Sequence, residues 1–233
     1  MRKHTRVLFI MLLSLSAGAG VFAEAFVIDS YHIDMEVTLE NAYLITETID
    51  VTFSQDRHGI YRDIPNRYYD HPVMIENVDV EDHQFALIRQ SGYLRVRIGD
   101  PDVYVNGEQR YVISYRYQVS KDPFEDRDEL YFNLIGDRWE TTIDGVSFEI
   151  RMPASFDRGR INFTYGPTGS TEQAPIRRTG SGTTISGVLK TSLEPRVQGS
   201  QRRANSSTVC AKAGPGQGGL GGGGGGRSIA GGS

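Results

Sequence analysis

The chain has 233 residues, 38% of them apolar and 23% charged, with a formal net charge of −4. That composition excludes wholesale disorder and collagen-like structure and is ample for one or two hydrophobic cores. The charge is unevenly placed: residues 24–195 hold all 29 acids and 17 of the 25 bases, a balance of −12, while 196–233 carries five bases and no acid. So acidic a body repels phosphate backbones, which argues against nucleic acid as a partner. The single cysteine, Cys210, lies in the basic tail, leaving the body no thiol for a disulfide, a zinc site or a nucleophile.

In chain order, residues 1–6 are basic, 7–15 form a nearly unbroken apolar run, and 16–23 turn small-residue-rich and end in Val21-Phe22-Ala23. This is the layout of a secretory signal peptide, with cleavage expected after Ala23. The alternative is a retained anchor helix, for which the 17 residues of 7–23 stand at the lower bound for spanning a bilayer. Both place the body outside the cytoplasm.

From Tyr31 the side chains alternate: Tyr31, Ile33, Met35, Val37 and Leu39 are apolar, and His32, Asp34, Glu36 and Thr38 are polar. A period of two predicts a strand with one wet face. Alternation resumes after residues 40–42 with Tyr43, Ile45, Ile49, Val51 and Phe53, so the pair reads as a hairpin. Further strands are expected over 73–80, 85–89, 93–98, 109–119, 130–134, 146–152, 160–165 and 183–189, with polar loops over 54–72, 99–108, 120–129 and 136–145. Ten short strands without sustained helical periodicity predict an all-β fold, an antiparallel immunoglobulin-like β-sandwich over 24–195. Beyond Pro195, 13 of the 27 glycines fall in 38 residues and apolar residues almost vanish. Residues 196–233 are therefore expected to be a disordered Gly-rich tail. No segment after residue 23 is long and apolar enough to cross a membrane as a helix.

Reactive side chains are densest over 58–65, His-Gly-Ile-Tyr-Arg-Asp-Ile-Pro. Arg62 could clamp an anion and Asp63 act as a base; equally, the segment could be a salt-bridged turn that fixes one end of the sandwich, since no nucleophile is adjacent. Asp122, Glu125, Asp126, Asp128 and Glu129 could offer oxygens to calcium, but their spacing does not match a known calcium loop and reads as a solvated acidic stretch. His32, His58, His71 and His83 lack metal-ligand spacing, so no metal and no cofactor are expected. Serine-hydrolase and phosphate-loop motifs are absent. The twelve tyrosines, with Trp139 and the pair Tyr68-Tyr69, could form a sugar-stacking platform or the half-buried face of a sheet.

Three stretches carry a resemblance: GIYRDIPNRY at 59–68, YLRVRIGDPDVYVNGEQRYVISYRY at 93–117 and DELYFNLIGDRWETTID at 128–144, with a weaker match at Leu193-Glu194-Pro195. Together, over about 24–195, they resemble the N-terminal domain of the family called domain of unknown function 2207, the predicted YciQ-like bacterial membrane proteins. The resemblance implies an extracytoplasmic β-sandwich tethered to an envelope membrane, with no established activity. Such proteins continue past the Leu-Glu-Pro stretch into another strand and transmembrane helices. Here the expectation is that 197 onward supplies neither, as a truncation or frame change would produce.

Residue by residue, Gly59, Tyr61, Arg62, Asp63 and Pro65 match the first signature, and Asp128, Glu129, Tyr131, Asn133, Gly136 and Trp139 the second. Physically the first group offers a turn and a buried ion pair, the second a strand start, a turn and an aromatic plug. The expected function is a binding, sensing or structural module whose partner is an unidentified envelope protein or polymer, with no catalytic residue. The alternative is an envelope-polymer hydrolase or transferase using Arg62, Asp63, Asp128 and Glu129, which requires their loops to meet. A third reading has the basic tail resting on anionic lipid or polymer.

Overall fold

The computed structural model describes residues 24–68, 71–119, 130–166, 171–194 and 210–213. The expected signal segment, the acidic stretch with Asp128 and Glu129, and the remainder of the tail lie outside them.

The predicted hairpin is β1 (Phe26–Val37) and β2 (Ala42–Arg57), paired antiparallel from Phe26↔Phe53 to Val37↔Tyr43. Beyond β2 come β8 (Val105–Val119), β5 (His71–Val80) and β4 (Arg67–Tyr68). On the far side of β1 lie β10 (Val146–Arg151), β13 (Thr184–Leu189) and β12 (Ile176–Thr179), which completes an eight-stranded sheet. Its inner face carries the alternating apolar set: Tyr31, Ile33 and Met35 on β1, Ile45, Ile49 and Val51 on β2, Tyr111, Ile113, Tyr115 and Tyr117 on β8, and Phe148 and Ile150 on β10, all buried. Each such side chain contributes about 1.5–3 kcal/mol by leaving water.

That face is covered by two three-stranded sheets. One consists of β3 (Ile60–Pro65), β7 (Tyr93–Ile98) and β6 (Phe85–Gln90); the other of β9 (Leu130–Asn133), β14 (Cys210–Ala213) and β11 (Asn162–Thr164). Aromatic contacts join the layers: Phe132 meets Tyr43 and Tyr117 edge-on at 5.9 and 5.2 Å, and Phe163 meets Phe148 at 5.0 Å. The opposite face of the large sheet is wet and carries ion pairs such as Arg110–Asp50 and Arg151–Asp34, both 2.6 Å. Pairs this exposed add little stability.

The fold is thus nearly all β and rich in antiparallel pairs, as the alternation predicts. Nothing in the strand order singles out the immunoglobulin-like version, and three local expectations change. First, β1 and β10 run parallel, a direction to which a period-two pattern is blind because facing alternates identically in both senses. Second, part of the polar interval 54–72 is strand: Ile60, Arg62 and Ile64 point inward on β3, and the charge at the centre masks the alternation. Third, Cys210–Ala213 is a strand inside the segment expected to be disordered, held between β9 and β11. Two otherwise unpaired edges supply its backbone partners, and composition does not record that opportunity.

The turn that leads into β3 depends on two glycines. Gly59 (φ +116°) and Gly99 (φ +118°) face each other across the start of β3 and the end of β7. A Cβ on Gly59 would lie 1.9 Å from the Ile98 carbonyl oxygen, and one on Gly99 would lie 2.0 Å from that of His58. Gly92 (φ +89°) has open space where its Cβ would be. Gly59→Ala is therefore expected to lower the unfolding free energy by roughly 3 kcal/mol or more, and Gly92→Ala by about 1 kcal/mol, as read by chemical denaturation.

Candidate functional site

Period-two facing places Glu47, between Ile45 and Ile49, on the inner face of the large sheet, and Arg62, between Ile60 and Ile64, on the inner face of the small one. The layers bring the two charges together in the core, where Glu47 is 0% and Arg62 1% exposed. Arg62 donates Nε to Glu47 Oε2 at 2.7 Å and Nη2 to Oε1 at 2.8 Å, a bidentate pair. The Tyr31 hydroxyl donates to Oε2 at 2.5 Å and the Tyr115 hydroxyl to Oε1 at 2.6 Å. Each carboxylate oxygen therefore accepts two hydrogen bonds, which fills its acceptor capacity.

The second signature seals this cluster. Gly136 (φ +84°) lies over the guanidinium: a Cβ there would be 3.0 Å from Arg62 Nη1, the nitrogen that donates to the Asp63 carbonyl at 2.6 Å. The Gly136 turn is held by its N–H, which donates to Asn133 Oδ1 at 3.0 Å. Trp139 donates its indole N–H to the Ile135 carbonyl at 3.1 Å and packs edge-on against Tyr31, centroids 5.8 Å apart. It closes the side of the cluster next to Tyr31. Tyr131 lies in β9 opposite Lys212.

Burial opposes the charged form of Glu47. The charge of Arg62 and the hydrogen bonds from Arg62, Tyr115 and Tyr31 outweigh it and hold the carboxyl below its ordinary value of 4.5. Burial likewise opposes the charge on Arg62, and the Glu47 carboxylate overrides it, keeping the guanidinium protonated. For Tyr31 and Tyr115 burial is the leading cause of a strongly raised pKa, so both phenols remain neutral donors.

A second ion pair flanks the first. Asp63, 8% exposed, accepts from Arg95 Nε and Nη2 at 2.7 and 2.8 Å, and the two residues are direct cross-strand partners of β3 and β7. Arg95 lies 5.0 Å from the Tyr61 ring centroid and 5.6 Å from that of Tyr93, and Arg138 stacks on Tyr93 at 4.0 Å. The hydrogen bond to Asp63 is the main reason that the Arg95 pKa is raised further. Pro65 ends β3 opposite Tyr93 on a strand with one free edge, a position that asks for no N–H.

The structure puts Tyr61, Arg62, Asp63 and Pro65 on one strand, with Gly59 in the turn that leads into it, and places Asn133, Gly136 and Trp139 around its buried charge. The expected ion pair exists with a different acid: Arg62 is neutralised by Glu47, and Asp63 by Arg95. Neighbours in sequence on a strand point to opposite faces, so Arg62 and Asp63 cannot share a side-chain contact. Glu47 and Arg95 are absent from the sequence-derived set. A glutamate in an inward slot of an alternating strand was the available signal, since a charge there needs a buried countercharge. Asp128 and Glu129 lie outside the described residues. Among those described, no three His, Cys, Asp or Glu side chains group to hold a metal ion.

Removing one member leaves the other buried and uncompensated. Arg62→Met is expected to cost about 3–5 kcal/mol, and adding Glu47→Met, Tyr31→Phe and Tyr115→Phe should recover most of that loss in a denaturation series. Because the folded-state pKa of Glu47 lies below its unfolded value, its contribution is complete above about pH 4.5 and is lost as pH falls through the lowered value. Acid unfolding of the quadruple variant should therefore be less steep in that range.

No curated protein matches the sequence. Among solved structures, native yeast LTA4 hydrolase resembles the fold with a TM-score of 0.50 at 10% identity, over 82% of this chain and 29% of that one. An M1 zinc metallopeptidase from Deinococcus radiodurans gives a TM-score of 0.42 at 11% identity, over 82% and 42%. The chain thus spans less than a third of the hydrolase, and the likeness concerns fold alone. The family described as "Predicted membrane protein (DUF2207) N-terminal domain" matches residues 27–208, and by that match, across most of its length and both signature stretches, this chain belongs to it.

Proposed function

We propose that this domain is the extracytoplasmic, non-catalytic part of a membrane-associated envelope protein, a rigid sandwich of immunoglobulin-like character that holds a recognition surface. The observation that carries this reading is the use made of the signature charges. Arg62 is spent on Glu47 inside the core, and Asp63 on Arg95 beside it. A general acid or base must reach substrate directly or through one water, and Glu47 and Arg62 have no exposed surface from which to do so. Scaffold is the role that fits such a pair. The family description as a predicted membrane protein supports association with a membrane, and the apolar run of 7–15 behind a basic start supports export. The acidic balance of the body suits a surface that meets an envelope protein or polymer, not nucleic acid.

Leu39, 86% exposed in the β1–β2 turn, offers a reporter position. In a Cys210→Ser background, Leu39→Cys is expected to react with a membrane-impermeant maleimide in intact cells. Protection until the cells are lysed would place the domain on the cytoplasmic side and overturn the reading.

A further inference from the structure

The outward face of β3 and β7 carries a feature that the buried charges do not use. Strand register sets Tyr61 opposite Arg97 and Asp63 opposite Arg95. Arg95 is neutralised by Asp63, whereas Arg97 Nε is screened from solvent and has no hydrogen-bond partner among the described residues. A buried N–H of this kind costs free energy unless an acceptor is supplied. Arg97 lines a cavity of about 410 Å³ at the Gly59–Gly99 corner, together with Tyr61, His58, Tyr104 and Arg57, a volume in the range of small-ligand sites.

The walls show what kind of acceptor fits. Tyr61 and Tyr104 are 56% and 66% exposed, an unusual amount for large rings that belong to no core. His58 lies against Tyr104 at 4.0 Å between centroids. Its Nδ1 is 3.0 Å from the Val103 carbonyl, so Nδ1 carries the proton and Nε2 remains for another partner. Asp56 also stands in the wall, where its Oδ1 accepts from Asn106 at 2.7 Å. Two guanidinium groups against one engaged carboxylate leave the cavity cationic on a domain whose body is acidic.

We propose that this corner is a binding site for a small oxyanion ligand, a carboxylate or phosphate carried on a sugar-like ring. The oxyanion accepts from the Arg97 guanidinium where it borders the cavity, with Arg57 at hand, and the ring lies against Tyr61 and Tyr104. Arginine suits this role because its fork of planar donors matches a carboxylate or phosphate, and tyrosine offers a flat apolar face with a polar edge. The inference deepens the reading of the domain as a recognition module by giving it a ligand class. Titration of the purified chain tests it independently of the side of the membrane on which the chain resides.

Isothermal titration with glucuronate, glucose 6-phosphate, glucose and inorganic phosphate makes the test. One or both of the charged sugars should bind, and comparing them separates the carboxylate from the phosphate. Glucose should bind at least tenfold more weakly for want of the oxyanion, and inorganic phosphate more weakly for want of the ring. Arg97→Gln should weaken charged-sugar binding roughly tenfold or more; Tyr104→Ala, an exposed substitution that leaves the core intact, should weaken it severalfold. Arg110→Gln, on the wet face of the large sheet, should change nothing. Absence of binding by both charged sugars, equal binding of glucose, or affinity unaltered by both Arg97→Gln and Tyr104→Ala would overturn the site. Labelling of Leu39→Cys would be unaffected by that outcome, so the two failures are distinguishable.

Discussion

The bidentate pair of Glu47 and Arg62 is the interaction on which the two layers depend. Taking both ions out of water costs several kcal/mol each, and the fold offsets this by surrounding the carboxylate with four donors: two from the guanidinium and one from each of two phenols. Its larger consequence is specificity. A slip of β3 by one residue would turn Tyr61 and Asp63 inward, expose Arg62 and strand Glu47 without a countercharge. An apolar core tolerates alternative packings far better than this pair does, so the pair selects one placement of the small sheet on the large one.

Satisfying that pair shapes the elements around it. Gly136 leaves room for the guanidinium, Asn133 holds the turn that contains it, and Trp139 closes the side next to Tyr31. The Gly59–Gly99 approach sets the point at which β3 begins, and with it which residues face in. The described parts of the two signature stretches, about sixty residues apart in the chain, thus meet in a single packing arrangement. Among the described residues, the placement of Arg62, Asn133, Gly136 and Trp139 follows from the needs of one buried salt bridge.

The same register that buries Arg62 presents the other side of its strand to solvent. Tyr61 and Asp63 lie beside Arg97 and Arg95 because antiparallel pairing puts them there. Arg95 is neutralised within the sheet, whereas Arg97 Nε has no hydrogen-bond partner among the described residues, so the two faces of the small sheet meet different electrostatic demands. In the proposed site, an inward face committed to rigidity would let the outward face hold a ligand with little reorganisation.

What the sequence determined by itself was the periodic part. The hairpin of β1 and β2, the long alternation of β8, and the all-β class were legible because apolar side chains recur at every second residue and nothing in the pattern competes. Facing was legible on β2, where Glu47 stood in an inward slot, but not on β3, which falls in an interval that reads as loop, and a single strand cannot state which distant charge answers its own. The tertiary structure alone decided that Glu47 is the partner of Arg62, that Arg95 is the partner of Asp63, that β10 runs parallel to β1, and that Cys210–Ala213 finds two edges to join. Each of these is a relation between segments far apart in the chain. Periodicity reports the environment of one segment, and identifying its partner requires the fold.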